Sequence, residues 1–329
     1  MSNKTVCVTG GTGYLASKLI EILLSRGYRV RSTVRSLNNQ IKIAPLKRLT
    51  SKGDLSLFEA DLLSEGSFKE AMDGCECVFH VASPMHTSYS VDDPHSQLVV
   101  PAVQGTRNVI EEALRSKTVT TVVMTSSVAA IKSQLKPEDY IFSEKDWNED
   151  ASMEVSPYSF GKTLAEKEAW RLVAESRIRL VSINPSCIIG PSVGVHPETE
   201  SIVHFIDLLE GRYHESGVPS IELCTVDIKD VVEAHIRAFE NPNASGRYIV
   251  SSEHSTTLLD WAQILGSDPR FATYPLPTKL TGERQKKFHY ENRRVQEELG
   301  ISLAPLEESL KEVAEFLIKS RVIHSQKRL

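Results

Sequence analysis

Tyr158 and Lys162 stand four residues apart in Tyr158-Ser159-Phe160-Gly161-Lys162, a run that opens a helix-period segment continued by Leu164, Ala165, Ala169 and Leu172. On a helix this spacing puts both side chains on one face. An unperturbed phenol ionises near about pH 10, so a neighbouring ammonium is needed to make its proton exchangeable near neutrality. The same spacing also arises by chance on helix faces, and its meaning depends on what precedes it. Thr125-Ser126-Ser127 closes an apolar run. A serine at the carboxyl end of a parallel strand points into the crevice where such sheets take ligands, and its hydroxyl can orient a carbonyl. The alternative is that Ser126 and Ser127 only end a strand.

Far upstream, Thr9-Gly10-Gly11-Thr12-Gly13-Tyr14-Leu15-Ala16 follows the first apolar run and precedes Leu19, Ile20, Leu23 and Leu24 at helical spacing. Glycine allows the unusual φ of such a turn, and it removes the Cβ that would keep a pyrophosphate away from the helix N-terminus. Strand, glycine turn and helix in that order are the context a dinucleotide requires. The end of the second strand selects among dinucleotides. An acid about 20 residues past the turn would accept the ribose 2′-OH of NAD. Val30-Arg31-Ser32-Thr33-Val34-Arg35 has no acid and ends in a guanidinium, whose fork suits a 2′-phosphate. NADPH/NADP+ is therefore the expected cofactor, unless Arg35 is simply a surface residue.

The elements that must position these groups alternate. Strands are expected at 4–9, 29–34, 55–60, 76–81, 119–126 and 179–184, with amphipathic stretches between most of them. The pattern predicts an α/β chain, a Rossmann-type doubly wound parallel sheet with a smaller C-terminal substrate-binding lobe. The expected division is 1–185 for the NADP-binding domain and 186–329 for the lobe, with roughly 222–240 returning to the former. Residues 131–156 are charged and contain proline, too long for a plain connection, and are expected to border a site. Turns at Gly190-Pro191, Pro197 and Gly217-Val218-Pro219 surround a helix near 201–211. Further helices are expected at 230–240, 257–265 and 306–319.

Composition removes several classes. With 40% hydrophobic and 25% charged residues the chain has ordinary globular values, neither disordered nor a coiled coil. A net charge of −5 offers no field for a phosphate backbone, so no nucleic-acid partner is expected. The basic run Arg284, Lys286, Lys287, Arg293 and Arg294, interrupted by Glu291 and followed by Glu297 and Glu298, reads as a solvated helix face. Five cysteines without a C-x-x-C pair or zinc spacing fit a reducing compartment, and no metal site is expected. No signal-like segment and no run of 18 apolar residues is present, so neither export nor a membrane span is expected and the cytoplasm is the default location. The terminal Lys327-Arg328-Leu329 only faintly matches a peroxisomal tripeptide. We expect a monomer or homodimer acting on a small-molecule carbonyl substrate.

Together these motifs resemble the extended short-chain dehydrogenase/reductase superfamily. Within it, they resemble the group of dihydroflavonol reductases, cinnamoyl-CoA reductases and microbial aldehyde/ketone reductases. The likeness spans nearly the whole chain and includes Val78-Phe79-His80-Val81-Ala82-Ser83-Pro84, Asn184-Pro185-Ser186 and Val226-Asp227-Ile228-Lys229-Asp230-Val231. It implies catalysis by Ser127, Tyr158 and Lys162. It also implies cofactor contacts from Gly10, Thr12, Gly13, Tyr14 and Leu15 in the turn, from Arg35 and Lys42 at the 2′-phosphate, and from Asp61 and Leu62 at adenine. Val81, Ala82 and Ser83 would lie beside the nicotinamide ribose, which Lys162 would also hold, close to Tyr158. Pro185, Ser186, Cys187, Ile188 and Ser201 would line the nicotinamide side. Two departures narrow the substrate. Lys132 stands where dihydroflavonol reductases carry a flavonoid-binding asparagine, and Ser156-Pro157-Tyr158-Ser159-Phe160-Gly161-Lys162 lacks the Trp and Cys of the cinnamoyl-CoA reductase segment N-W-Y-C-Y-G-K. The resulting expectation is an NADPH-dependent reductase of small aldehydes or ketones. The alternatives are a dihydroflavonol or cinnamoyl-CoA type reductase, a sugar-nucleotide epimerase/dehydratase, or a non-catalytic NADPH-sensing regulator.

Overall fold

A computed structural model describes residues 4–84 and 92–323; Lys327-Arg328-Leu329 lies outside them. Seven parallel strands make the central sheet: β1 (Thr5–Val8), β2 (Arg29–Val34), β3 (Leu55–Glu59), β4 (Cys77–His80), β5 (Thr121–Thr125), β6 (Arg179–Pro185) and β7 (Gly246–Val250). Their order is β3-β2-β1-β4-β5-β6-β7. Val6 of β1 lies opposite Val30 of β2 and Cys77 of β4, so the direction of winding reverses between β1 and β4. Crevices at such reversals are where doubly wound sheets bind ligands.

Both faces are covered, which is why the strands read as continuous apolar runs. Val6, Val8, Phe79, Val181 and Ile183 point to one face, beneath helices α1 (Tyr14–Ser25), α2 (Gln40–Leu49) and, later in the chain, the 228–240 helix. The intervening Cys7, Val78, Val122 and Leu180 point to the other, against α3 (Val100–Arg115) and α4 (Pro157–Val173). Each buried Val, Leu or Ile contributes about 1.5–3 kcal/mol of transfer free energy, and the two-residue period sends neighbours to opposite cores.

Later in the chain come α5 (Glu200–Leu209), α6 (Ile228–Glu240), α7 (Leu258–Gly266), α8 (Arg293–Leu299) and α9 (Leu306–Lys319). Outside the central sheet the strands pair only in fragments. Cys187–Ile189 runs parallel to Thr225–Asp227, and Ile141–Phe142 runs parallel to His289–Tyr290. No helix among the described residues is long and apolar enough to cross a membrane.

Two expectations are corrected. The sheet has seven strands, not six: Gly246-Arg247-Tyr248-Ile249-Val250 adds to the edge at β6, with Tyr248 opposite Ile183. The basic run is not one solvated helix face, because α8 begins only at Arg293. Lys286 instead donates to the backbone carbonyl of Gln134, and Arg294 donates to the carbonyls of Arg247 (2.7 Å) and Ser245 (2.9 Å). Carbonyls left free at loop ends recruit these cations as donors.

Candidate active site

The turn after β1 and the loop after β4 pass in contact. Gly10 has φ +70°, and a Cβ there would lie 3.0 Å from the Cα of Ala82. The hydroxyl of buried Thr9 accepts from the amides of Val81 (3.1 Å) and Ala82 (3.0 Å). It is also 3.1 Å from His80 Nδ1, while His80 Nε2 is 3.3 Å from the Thr106 hydroxyl. With both Thr9 acceptor positions taken by amides, its proton goes to Nδ1, which assigns the ring proton to Nε2. Burial, reinforced by the charge of Lys162, pushes His80 down to about 3, so the imidazole is neutral. Thr9 and His80 thus hold Val81, Ala82 and Ser83 against the glycine turn.

Gly13 caps α1, and a Cβ on it would lie 3.1 Å from the Gly10 carbonyl oxygen. Thr12 is half-buried and Leu15 is buried. The Tyr14 side chain turns away, its hydroxyl donating to the Gly190 carbonyl at 2.5 Å. Arg35 and Lys42 are exposed just past β2 and in the first turn of α2. Neither side chain has an ion pair among the described residues. Arg31 instead stacks on Phe58 and donates to the carbonyls of Glu70 and Ala71. Asp61 is exposed and accepts from the Leu63 amide at 2.8 Å, while Leu62 packs so closely on α3 that a Cβ at Gly105 would lie 2.9 Å from it.

On the other side of the reversal, β5 ends at Thr125, and Ser127 caps the short turn 128–130 by accepting from the Ala129 amide at 3.1 Å. Ser156 caps α4 and Pro157 occupies its first position, a strong helix start. Tyr158 therefore falls in the first turn and Lys162 one turn later. The Lys162 ammonium lies 5.9 Å from the Tyr158 ring centre. Burial pushes the Tyr158 phenol up to about 12; a hydrogen bond with Ser127 pulls the other way, and the charge of Glu200 adds to the rise. Burial likewise pushes Lys162 down to about 8, against the pull of Glu166. A recess is lined by Ser83, Pro84, Leu98, Ala102, Tyr158, Gly161 and Lys162.

Beyond β6, Pro185 and Ser186 are buried, and Cys187 and Ile188 are half-buried. The Ser186 hydroxyl and that of Ser201, in the first turn of α5, are buried without a hydrogen-bond partner among the described residues. Lys132 packs its ammonium 4.3 Å from the Phe288 ring centre.

A model of the NAD dependent epimerase/dehydratase family matches residues 6–251. The chain belongs to that family. Among curated members it is 38% identical to the cinnamoyl-CoA reductase CAD2 of Medicago truncatula over 95% of both chains. It is 36% identical to an anthocyanidin reductase of Vitis vinifera over 84% of both. Among solved structures, Gre2 of Candida albicans in complex with NADPH superposes with a TM-score of 0.83 at 27% identity, covering 96% of this chain and 99% of the other.

In this epimerase/dehydratase family member the structure brings Ser127, Tyr158, Lys162 and the Val81–Ser83 loop together, and places Arg35, Lys42 and Asp61 farther out along the ends of β2 and β3. Sequence reasoning assigned no role to Glu166, Arg247 or Asn184, which meet in a buried cluster behind Ser127. Glu166 had one legible signal: it follows Lys162 by four residues and so shares the helix face of Tyr158. Arg247 lies 81 residues away and carried no local signal.

Proposed function

We propose that the chain is an NADPH-dependent reductase of small aldehydes and ketones, with Ser127, Tyr158 and Lys162 as its catalytic residues. The observation that carries this reading is the convergence of the Ser127 hydroxyl, the Tyr158 phenol and the Lys162 ammonium at the sheet's reversal, beside the glycine turn. The surroundings suit NADP(H). Gly10 and Gly13 leave a cradle that side chains would fill; among the described residues the buried hydroxyls of Ser186 and Ser201 lack partners, and Arg35 and Lys42 have no ion pair where a 2′-phosphate would lie. Asp61 and Leu62 would border adenine. Tyr14 and Leu15 would contribute backbone amides at the start of α1.

Bound NADPH supplies the hydride that reaches the carbonyl carbon. Tyr158 gives its phenolic proton to the carbonyl oxygen, yielding the alcohol; burial pushes the free phenol up to about 12, against the direction expected from the nearby ammonium, so proton release depends on stabilising the phenolate during the reaction. Ser127 donates a hydrogen bond to the same oxygen as charge develops there, a pre-organised contact whose loss typically costs about 10²–10³ in rate. Lys162 stabilises the phenolate left behind and binds the ribose. Pro185, Cys187 and Ile188 form the wall opposite.

The substrate class rests on Lys132, five residues after Ser127, and on the loop that follows β6. The Lys132 cation is engaged with an aromatic ring and offers no paired donor and acceptor for a ring diol. Ile188, Val193 and Val195 make the neighbouring loop apolar, and apolar pockets discriminate weakly, by about 1–3 kcal/mol per methylene. The 38% identity to a cinnamoyl-CoA reductase favours a second reading, a CoA thioester substrate. The test is kcat/KM with NADPH for aliphatic aldehydes, aromatic aldehydes, ketones, a dihydroflavonol and a hydroxycinnamoyl-CoA. Simple carbonyls should lead; a dihydroflavonol or thioester exceeding all of them overturns the substrate class.

A further inference from the structure

Behind the site lies a polar cluster that the reaction does not touch. The Glu166 side chain is 0% exposed and its partner Arg247 7% exposed, so this ion pair is cut off from water. Five donor contacts converge on the one carboxylate. Oε1 accepts from Arg247 Nε (2.7 Å) and Trp170 Nε1 (3.3 Å), and Oε2 accepts from the Ser126 hydroxyl (2.6 Å), Asn184 Nδ2 (2.9 Å) and Arg247 Nη2 (3.2 Å). Only an acceptor-only group serves all five, since the nitrogen of a glutamine amide would meet donors with another donor.

Those donors come from the elements that carry the site. Ser126 precedes Ser127. Asn184, at the end of β6, also donates to the Ser127 carbonyl at 3.2 Å. Glu166 itself is one turn past Lys162 and two turns past Tyr158 on α4. Arg247 reaches from β7, stacks 3.9 Å from the Trp147 ring centre and donates to the carbonyls of Ala130 and Glu144. Among the described residues, the charged and titratable groups around Lys162 are Tyr158 and Glu166 on its own helix and neutral His80 from β4; Arg247 faces Glu166 from β7.

We propose that Glu166 is the positioning residue of this site: one carboxylate that holds Ser127, through Ser126 and Asn184, in register with Tyr158 and Lys162, and whose negative charge supports the Lys162 ammonium. The inference rests on the catalytic reading above. A scaffold ion pair alone would fix geometry. This one also acts on Lys162, which burial pushes down to about 8 and the Glu166 charge pulls back up, so the alkaline limb of kcat is where the charge is read.

The experiment compares wild type, Glu166→Gln, Glu166→Asp and Tyr158→Phe, using the fastest carbonyl of the substrate panel for kcat against pH and NADPH fluorescence for binding. In Glu166→Gln, kcat should fall about 10²-fold through misplacement of Ser127. Its alkaline limb should move about one pH unit lower as the supporting charge goes, with NADPH affinity within about threefold of wild type. Glu166→Asp, which keeps the charge but shortens the reach and protects against misfolding around Arg247, should lose at least about tenfold in kcat with the limb unmoved. A folded Glu166→Gln protein with the wild-type limb, or a Glu166→Asp protein with wild-type kcat, overturns the proposal. Turnover surviving in Tyr158→Phe would instead overturn the catalytic reading on which it rests.

Discussion

On the sheet side of the crevice, buried polar groups come with partners: His80 lies between Thr9 and Thr106, the Thr125 hydroxyl is 2.7 Å from His235, and Glu166 gathers five donor contacts. Across the crevice, Ser186 and Ser201 bury hydroxyls with none among the described residues. An unpaired buried hydroxyl costs about 1–3 kcal/mol. The sheet side is thus finished by the fold alone, whereas the facing loops hold polar atoms that the fold leaves without partners among the described residues. The architecture differs in the same sense. Strands of four to seven residues, packed on both faces, support the first region, and pairings of two or three residues support the second.

The largest test of this contrast removes one proton. Tyr158→Phe keeps the ring and its packing, so NADPH should bind unchanged while kcat falls about 10³-fold. A parallel loss of NADPH affinity would mean that the phenol belongs to the cofactor site. Next comes Arg35→Asp. A carboxylate repels the 2′-phosphate and accepts the 2′-OH, so the NADPH to NADH ratio of kcat/KM should drop by about 10–100-fold. Unchanged KM values for both would remove Arg35 from the site.

Stability separates the two regions directly. Thr9→Val strips the acceptor from two amides and the partner from His80, and should cost about 1–3 kcal/mol in urea unfolding. Ser186→Ala removes a buried hydroxyl that the free protein leaves without a partner among the described residues. It should leave stability unchanged or raise it by up to about 1–3 kcal/mol, while weakening NADPH binding by up to about tenfold. If Ser186→Ala destabilises the free protein as much as Thr9→Val does, the contrast fails.

Much of the sheet side was legible because its signals are local. The β1 run, the glycine turn and the α1 spacing lie within 25 residues, and Tyr158 and Lys162 declare their shared face by a spacing of four. What escaped depends on tertiary pairing. The β7 strand follows α6 after a short Asn241-Pro242-Asn243 turn, with no glycine motif to mark it as part of the sheet. The basic run suggested a helix because charge spacing was counted without the carbonyls of Gln134, Arg247 and Ser245 that recruit Lys286 and Arg294. Pairings as short as Ile141–Phe142 with His289–Tyr290 are below the length at which alternation can be read. Glu166 and Arg247 become a unit only once α4 and β7 are side by side.

The central claim is that Tyr158 protonates a carbonyl oxygen while NADPH delivers hydride to its carbon. The most direct measurement follows the label from NADPH deuterated at both C4 positions into the alcohol formed from the best carbonyl of the panel, with wild type and Tyr158→Phe side by side. The account predicts one deuterium on the carbinol carbon for every NADPH oxidised by wild type, and almost no labelled alcohol from Tyr158→Phe with NADPH still bound. Unlabelled alcohol from wild type, or labelled alcohol formed at a similar rate by both proteins, would contradict it.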